Sequence, residues 1–444
     1  MMRNRGLLLA GLGMAFATSA FANNNGEVAG KVTFSKDVAP IFQASCVECH
    51  RQGDIAPMSL QTYDQARPWA KSIRKNVSER VMPPFHADKG KYEFANDTTL
   101  TDAEIATVVA WIDQGTPEGN PADMPPLRAE DPEGWRAGTP DLVLAPQSDY
   151  LVGKEVNDEY RCYCLESGLT EDTWINGVEY QGGNRKVVHH IMAYADPSGK
   201  AREKDAATPE PGYVCGMSGD QSTLRFDLLL GGWAPGEQPN MMDDGVAKVL
   251  PGNADVVFQV HYHNATGEDQ VDRSRMGIHF AEKPIQAIGR IMVVGAWQLN
   301  IKAGDGNYAS EANYTVPADI LLGSLMPHMH YIGKDMKVDV TYPDGRNEQL
   351  LSVMRYDFAW QTVYEFKEPL TLPKGTQIHM VAHHDNSPEN PRNPFSPPRD
   401  IRWGEATDEE MSHVWAGYIL ADERLNITPT PPTLDSASTG GAGE

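Results

Sequence analysis

The sequence Cys46-Val47-Glu48-Cys49-His50 decides how the first part of this chain folds. The pattern C-x-x-C-H is the attachment site of a c-type haem: both thiols bond to the haem, and the following imidazole ligates the iron. A redox dithiol or half of a zinc site would not require the histidine after the second cysteine. The motif therefore predicts one covalent haem c held by Cys46, Cys49 and His50.

Helical patterns surround this motif. Residues 34–42 have helix-like spacing that leads into it, and residues 59–81 place apolar side chains at helical intervals. Thr101 and Glu104 form a capping box that opens another helix. We therefore predict a small all-α haem domain over residues 31–117.

The second axial ligand of the iron is predicted to be Met82, which lies in a turn stiffened by Pro83 and Pro84. Met58 and His86 are the competing candidates. A thioether ligand raises the reduction potential of a haem relative to a second histidine.

This stretch also resembles the small c-type cytochrome domains that are fused to secreted enzymes. The resemblance implies a one-electron carrier at the start of the chain. The motifs that carry it are DVAPIF at 37–42, CVECH at 46–50, IAPMSL at 55–60 and MPP at 82–84.

The first 22 residues have the layout of a secretory signal. Arg3 and Arg5 precede a short apolar run at 7–16, and an Ala-x-Ala cleavage site ends at Ala22. The run is far shorter than the roughly 20 residues that cross a bilayer. We therefore expect a periplasmic or secreted protein, cleaved after Ala22, with no membrane span in the mature form. The formal net charge of −23 argues against nucleic acid as a partner.

A stretch rich in Pro, Gly, Asp and Glu predicts a linker over residues 118–137. Beyond it, short β-branched and aromatic runs alternate with turn-forming clusters, which is typical of all-β sandwiches. The stretch is too long for one sandwich, so we predict two, over residues 138–290 and 291–425. Residues 426–444 have the composition of a disordered tail.

Histidines recur in groups within the β-rich part. An H-x-H pair on a strand places both imidazoles on one face, whereas adjacent histidines can both point inward only at a strand end or a bulge. Imidazole suits copper, zinc, iron and nickel, and an added thioether favours copper. His279, His379 and His413 are interpreted as surface or core residues. The groups are His189-His190, His261 with His263, His328 with His330, and His383-His384.

Residues 141–419 resemble the copper type II, ascorbate-dependent monooxygenases, the family of peptidylglycine α-hydroxylating monooxygenase and dopamine β-monooxygenase. The family's first copper takes an adjacent histidine pair and the histidine of a Q-V-H-Y strand, which match His189-His190 and His261 here. Its second copper takes an H-x-H pair and a distant methionine. These match His328 and His330, in HMHYIGK at 328–334, and Met411.

This resemblance implies that both sandwiches are jelly rolls with one copper each. The copper at His328, His330 and Met411 would bind O₂ and carry out catalysis on a C–H bond. The copper at the first site would store and deliver an electron. The residues that anchor peptide or catecholamine substrates have no match in this chain, so those substrates are not implied.

Three cysteines remain beside the haem motif. In an oxidising compartment two of Cys162, Cys164 and Cys215 should form a disulfide. The resemblance implies that Cys215 pairs with Cys162, with Cys164 as the alternative.

These observations predict a monooxygenase that receives electrons through its haem from an external donor and hydroxylates a small organic substrate with O₂. Two alternatives belong to other functional classes. One is a non-enzymatic haem and copper protein for electron transfer or metal binding, and the other is a copper oxidase.

Overall fold

The computed structural model describes residues 30–52, 55–127, 131, 133–216, 222–234 and 237–432. The predicted signal segment 1–22 and residues 433–444 of the predicted tail lie outside the described residues. The chain forms two compact units. The first comprises residues up to Gln52, Ala56–Pro83 and Thr99–Leu127, and the second comprises Gly53–Ile55, Pro84–Thr98 and everything from Arg128 onward.

The first unit is a small helical bundle. Phe34, Phe42 and Trp111 are fully buried at its centre, with ring centroids 5.7 to 6.4 Å apart. The predicted capping box of Thr101 and Glu104 is confirmed. The helices are a π-helical turn at Phe34–Val38, α1 (Ala39–Ser45), α2 (Tyr63–Ala66), α3 (Ala70–Ser78) and α4 (Asp102–Asp113), with 3-10 turns at Arg67–Trp69 and Pro121–Asp123.

Part of the predicted linker belongs to this helical unit. The carbonyl of Pro117 accepts hydrogen bonds from the backbone N–H of Phe34 (2.9 Å) and from the indole of Trp111 (3.1 Å). Composition alone predicts a linker from residue 118, yet residues up to Leu127 lie in the first unit. The carbonyl of Glu118 accepts from the N–H of Ser35 (2.9 Å) and that of Pro125 from the side-chain amide of Gln43 (3.3 Å), which fixes the chain there.

Residues Pro84–Thr98, which the sequence assigns to the haem domain, lie in the second unit. Phe94 pairs with Phe366, and the N–H of Ala95 donates to the carbonyl of Glu365 at 2.7 Å. Aromatic contacts extend this pairing: the rings of Phe85 and Tyr364 lie 5.2 Å apart, edge to face. This segment is therefore an arm of the N-terminal region that pairs with the β-rich unit.

The second unit is all-β apart from short helical segments, and its first half contains two main sheets. One has the strand order β1-β12-β4-β9-β13, with β8 beside β4, and the other has the order β6-β3-β10-β5-β7. The 3-10 turn Phe226–Leu228 and the helix α5 (Lys200–Ala206) lie outside the sheets. The strands are β1 (Leu142–Leu144), β2 (Tyr150–Val152), β3 (Glu159–Glu166), β4 (Thr173–Gln181), β5 (Val188–Asp196), β6 (Tyr213–Val214), β7 (Leu229–Trp233), β8 (Asn240–Met241), β9 (Val246–Leu250), β10 (Asp255–Tyr262), β11 (Gln270–Asp272), β12 (Arg275–Phe280) and β13 (Ala287–Ile288).

The second half also contains two main sheets, in the orders β14-β23-β17-β20 and β16-β21-β18-β19. The chain passes from the first half to the second at Gly289, since β13 still pairs with β9. The strands are β14 (Arg290–Gly295), β15 (Asn300–Ile301), β16 (Tyr308–Thr315), β17 (Ile320–Met329), β18 (Gly333–Thr341), β19 (Asn347–Val353), β20 (Tyr364–Leu372), β21 (Gln377–His384), β22 (Ile401–Arg402) and β23 (Ser412–Leu420).

Each half has its own hydrophobic core between its two main sheets. Ile278 on β12 and Phe258 on β10 belong to one core, and Leu325 on β17 and Met380 on β21 belong to the other. A further cluster lies on the outer face of the sheet that contains β10, where Leu229 and Trp415 contribute. The two halves therefore contact each other through one sheet from each. Among the described residues, every helix is too short or too polar to cross a bilayer.

Candidate haem site and metal centres

The haem motif follows directly from helix α1. The N–H of Cys46 bonds to the carbonyl of Phe42 at 2.8 Å, so the motif continues the last helical turn. Both thiols are half-buried, and neither is in a disulfide. Nδ1 of His50 lies 3.2 Å from the carbonyl oxygen of Met58. Because a carbonyl oxygen only accepts hydrogen bonds, Nδ1 carries the hydrogen. Nε2 of His50 is then the nitrogen with a lone pair for iron.

The candidates for the second axial ligand fall in different units. Met82 is half-buried in the turn after α3, where its N–H bonds to the carbonyl of Asn76 at 3.2 Å. Met58 also lies in the first unit, whereas His86 lies in the second. Burial lowers the pKa of His86. Met82 and Met58 are therefore the candidates that share a compact unit with His50.

A β-bulge brings both members of the adjacent histidine pair to one site. His190 pairs with His261 across β5 and β10, but the next residue, Tyr262, pairs with Val188. His189 is the extra residue of the bulge, and a bulge is the arrangement that lets neighbouring side chains point to the same side.

The first histidine group converges on one point. Nδ1 of His189 and Nδ1 of His261 each lie 3.2 Å from Nδ1 of His190. One ligand nitrogen from each residue lies within 4.8 Å of the others. Two nitrogens bound tetrahedrally to one ion through bonds of about 2.0 Å are about 3.3 Å apart. The spacing therefore fits a single transition-metal ion.

Asp158 and Tyr160 hold His261 in this orientation. Nε2 of His261 bonds to one carboxylate oxygen of Asp158, which leaves Nδ1 facing the other two histidines. The Tyr160 ring stacks on the His261 ring at 4.1 Å and 7°. The other oxygen of Asp158 accepts from the N–H (3.1 Å) and hydroxyl (2.9 Å) of Thr407. His263 instead bonds to the carbonyl of Asn157 and does not join the group.

The imidazoles of His189 and His328 are neutral at pH 7. Burial, reinforced by neighbouring histidines, lowers the pKa of His189 to about 3 and that of His328 to about 4. It lowers the pKa of His190 as well. The neutral ring is the form that ligates metals.

In the second group, Nε2 rather than Nδ1 of each ring is available to a metal ion. His328 lies on β17 and His330 directly follows this strand, and their ring centroids are 5.2 Å apart. Nδ1 of His328 donates to the side-chain oxygen of Gln361 at 2.6 Å, and Nδ1 of His330 donates to the carbonyl of Glu409 at 3.1 Å. Because these bonds occupy Nδ1, Nε2 of each ring keeps its lone pair for a metal ion.

Glu410 ties this pair to Met411. Its fully buried carboxylate accepts from the backbone N–H groups of His330 (2.9 Å), Ile332 (3.0 Å) and Met411 (3.1 Å). Met411 is only 2% exposed and lines the same cavity as His328 and His330. The sequence offered no signal for the role of Glu410, because His330 and Ile332 lie about 80 residues away along the chain and become its neighbours only when the strands assemble.

His413, interpreted from the sequence as a surface or core residue, faces the second group. It pairs with His328 across β17 and β23, and the two rings lie 6.4 Å apart at an angle of 27°. Trp297 packs against it at 4.2 Å, and burial lowers its pKa to about 3. The available signal was its position two residues after Met411, which predicts the same strand face.

The His383-His384 pair does not form a third metal group. Nδ1 of His383 bonds to Asp335 at 2.6 Å. Nε2 of His384 lies 3.3 Å from the carbonyl of Met411 and 3.5 Å from the Glu410 carboxylate. His384 therefore supports the second group through its contacts with Met411 and Glu410.

Both histidine groups open onto one cavity of about 460 Å³ between the two halves. Phe358 lies between them: its ring stacks on His189 at 5.1 Å and meets the edge of His330 at 5.8 Å. A molecule in this cavity can therefore contact both groups.

The predicted disulfide is confirmed. Cys162 on β3 is bonded to Cys215, and Cys164 is a free thiol. The bridge fixes the chain after β6 to the sheet that carries the first histidine group.

Comparison with known proteins bears on the haem motif. The cytochrome c family matches residues 35–116, which include the whole haem motif. This stretch is a cytochrome c domain. It implies a haem c attached at Cys46 and Cys49, and an electron-transfer partner.

No curated protein has a significant match to the chain. Several solved structures align with about two thirds of this chain. They include the infectious bursal disease virus VP2 subviral particle (11% identity, 68% of this chain and 78% of that one, TM-score 0.18) and the major capsid protein P2 of bacteriophage PM2 (7%, 64% and 99%, 0.24). PNGF-II aligns with 8% identity, 65% and 66% coverage and a TM-score of 0.26. TM-scores this low identify no shared fold.

Proposed function

We propose that this protein is a copper monooxygenase that takes electrons through its cytochrome c domain and hydroxylates a C–H bond of a small organic molecule with O₂. The observation that carries the proposal is the single cavity onto which both histidine groups open. Hydroxylation inserts one oxygen atom into the substrate and reduces the other to water, so each turnover consumes two electrons and two protons from outside the substrate.

The two donor sets fit copper differently. The first offers three imidazole nitrogens, and the second offers two imidazole nitrogens with the thioether of Met411 nearby in the cavity wall. Imidazole with a thioether favours copper over the harder metals. Bound copper would supply one-electron redox chemistry and activation of O₂.

The protein's own residues orient these ligands and exclude water. Asp158 and Tyr160 fix the ring of His261. Gln361 and the carbonyl of Glu409 hold the N–H groups of His328 and His330 away from the donor side. His261, His330 and Met411 are almost fully buried, which limits contact of these ligands with bulk solvent.

Electron delivery is assigned to the haem. A cytochrome c domain on the same chain keeps a one-electron donor at high effective concentration, on the order of millimolar for a short tether. The arm Pro84–Thr98 strengthens this argument, because it joins the cytochrome chain to the β-rich unit by backbone pairing as well as by covalent connection.

The proposal also covers the protein family and the cellular compartment. We propose that residues 138–290 and 291–425 are the two jelly-roll domains of a copper type II, ascorbate-dependent monooxygenase. The signal layout of residues 1–22 supports a periplasmic or secreted protein. An oxidising compartment also agrees with the Cys162–Cys215 disulfide.

Reaction with ¹⁸O₂ tests the proposal. With candidate organic substrates and a reductant, one ¹⁸O atom should enter the product and the other should enter water. O₂ uptake without label in the product would indicate a copper oxidase instead. The absence of O₂ uptake with any substrate would favour an electron-transfer or metal-binding protein.

A further inference from the structure

One lysine in the wall of the shared cavity is bonded to neutral groups alone. Lys248 on β9 is half-buried, and its ammonium group donates to the carbonyls of Leu229 (2.9 Å) and Leu230 (3.1 Å). No carboxylate of the described residues forms an ion pair with it. An ammonium group carries three hydrogens, so one remains for a molecule that enters the cavity.

The other lysine and arginine side chains described in this wall are already neutralised. Arg290 makes two hydrogen bonds to the carboxylate of Glu423, at 2.7 and 2.9 Å, and Lys367 is paired with Glu93 at 2.9 Å. Burial without a compensating charge lowers the pKa of Lys248 to about 8, so at pH 7 it is still mostly protonated. A bound anion would supply the partner that this buried charge lacks.

A bulge in β7 places the ammonium group of Lys248. Gly231 on β7 pairs with Ala193, whereas Leu229 pairs with the next residue, Tyr194, so Leu230 is the extra residue. Consecutive carbonyls of a regular strand point to opposite sides, and a bulge lets both approach one donor. The two carbonyls therefore hold the charge at a fixed point of the wall.

The register of the same sheet relates this point to the first histidine group. Leu229, a partner of Lys248, lies opposite Tyr194 on β5. Tyr194 lies four residues beyond His190 on that strand, which is about 13 Å at 3.3 Å per residue. Met192 lies between them and lines the cavity. The lysine and the histidines thus lie at separate places in one cavity.

We propose that Lys248 binds the carboxylate of an amphipathic substrate whose apolar chain extends along the cavity toward the histidine groups. The inference rests on the proposed function, because it names the substrate class of the same cavity. Ile291 and Trp415 line the cavity and pack on one apolar cluster with Met192, so they offer a surface for the chain. An extended chain of about eight to ten carbons, with C–C bonds near 1.5 Å, covers the distance.

Octanoate and octan-1-ol share a chain length and differ in charge, and both can be titrated calorimetrically into the full-length haem protein at pH 7. Before copper loading, the wild type should bind octanoate at least about tenfold more tightly than octan-1-ol, because the carboxylate forms a charge-assisted hydrogen bond. Equal or weaker binding of octanoate would overturn the inference. This comparison needs no variant, so it remains decisive if a Lys248 variant does not fold.

Two variants assign the preference to one residue. Lys248→Met should weaken octanoate binding by about tenfold or more and leave octan-1-ol binding unchanged, before and after copper loading. Lys367→Met is the matched control, since it removes a cation of the same wall that already has Glu93 as a partner. Unchanged octanoate affinity in Lys248→Met, or an equal loss in Lys367→Met, would contradict the inference. A preference for octanoate that appears only with copper and survives Lys248→Met would place the carboxylate on the metal instead.

These measurements separate the two proposals. Loss of octanoate binding in Lys248→Met, without ¹⁸O incorporation from any amphipathic carboxylate or other substrate, would leave the anion site standing and remove the monooxygenase assignment. Incorporation of ¹⁸O into a neutral substrate, with octanoate affinity unchanged by Lys248→Met, would do the reverse.

Discussion

The two histidine groups are built in different ways. The first comes from one sheet, in which β5 carries His189 and His190 and the neighbouring β10 carries His261. The second combines His328 on β17 and His330, which directly follows β17, with Met411, which comes just before β23. Backbone pairing and one bulge set the nitrogen spacing of the first group, whereas side chains and loops orient the second.

This difference predicts that the two sites respond unequally to substitution of their supporting residues. In the first group the ladder between β5 and β10 fixes the backbone, and Asp158 adds one further support. In the second group Gln361, Glu409 and Glu410 all contribute, and none of them belongs to the strand that carries the histidines. Changes to supporting residues should therefore affect the second site more than the first.

The largest effect is expected from removal of a ligand in the second group. His328→Ala should abolish hydroxylated product while the absorbance spectrum of the haem stays unchanged, because haem and histidine lie in different compact units. His379→Ala is the matched control, since His379 is a half-buried histidine paired with Glu311 outside the cavity. Product formation by His328→Ala at the control level would exclude a catalytic role for this group.

The route of electrons gives the next largest contrast. Under anaerobic conditions reduced haem should reoxidise rapidly in copper-loaded protein and slowly in copper-free protein, because the copper accepts the electrons. His328→Ala should retain rapid reoxidation, and His261→Ala should lose it, since the first site is assigned to electron storage. Stopped-flow traces that are identical with and without copper would show that the haem serves another partner.

Changes to supporting residues should distinguish the two groups by a smaller factor. Glu410→Gln replaces one acceptor oxygen by an NH₂ group that faces a backbone N–H, so copper affinity at the second site should fall by roughly 10- to 100-fold. Asp158→Asn can keep its bond to His261 and should weaken the first site by no more than about tenfold. Competition with a colorimetric Cu(I) chelator measures both. A larger loss of copper affinity in Asp158→Asn than in Glu410→Gln would contradict the expected order of the two sites.

A separate effect concerns stability and pH. The pKa of Glu237 is raised by burial to about 8, so between its ordinary value near 4.5 and pH 8 the folded protein binds more protons than the unfolded chain. The contribution of Glu237 to the free energy of unfolding therefore falls as pH rises through this window. Glu237→Gln should gain roughly 2 to 4 kcal/mol over the wild type between pH 5 and pH 8. Denaturant titrations with a pH-independent difference would contradict the assignment.

Much of the first group was predictable because its signals are local. An adjacent histidine pair can converge only at a bulge or strand end, and the bulge is present at His189. The haem motif and the capping box of Thr101 and Glu104 are local in the same sense. The Cys162–Cys215 bridge, implied by resemblance, was also correct.

The parts that were missed depend on long-range pairing. His413 faces His328 because of the register between β17 and β23, and Glu410 acquires two of its three donors, His330 and Ile332, only in the assembled sheet. The arm Pro84–Thr98 pairs with β20, about 270 residues further along the chain, as the bond between Glu365 and Asn96 shows. No pattern within a single segment encodes such partners.

The ratio of copper to iron in the purified, copper-loaded protein shows whether the chain holds two separate copper sites. We expect two coppers per haem iron in the wild type and one in each of His261→Ala and His328→Ala. A wild-type ratio of one, zinc in place of copper, or an unchanged ratio in either variant would contradict the assignment of two separate copper sites.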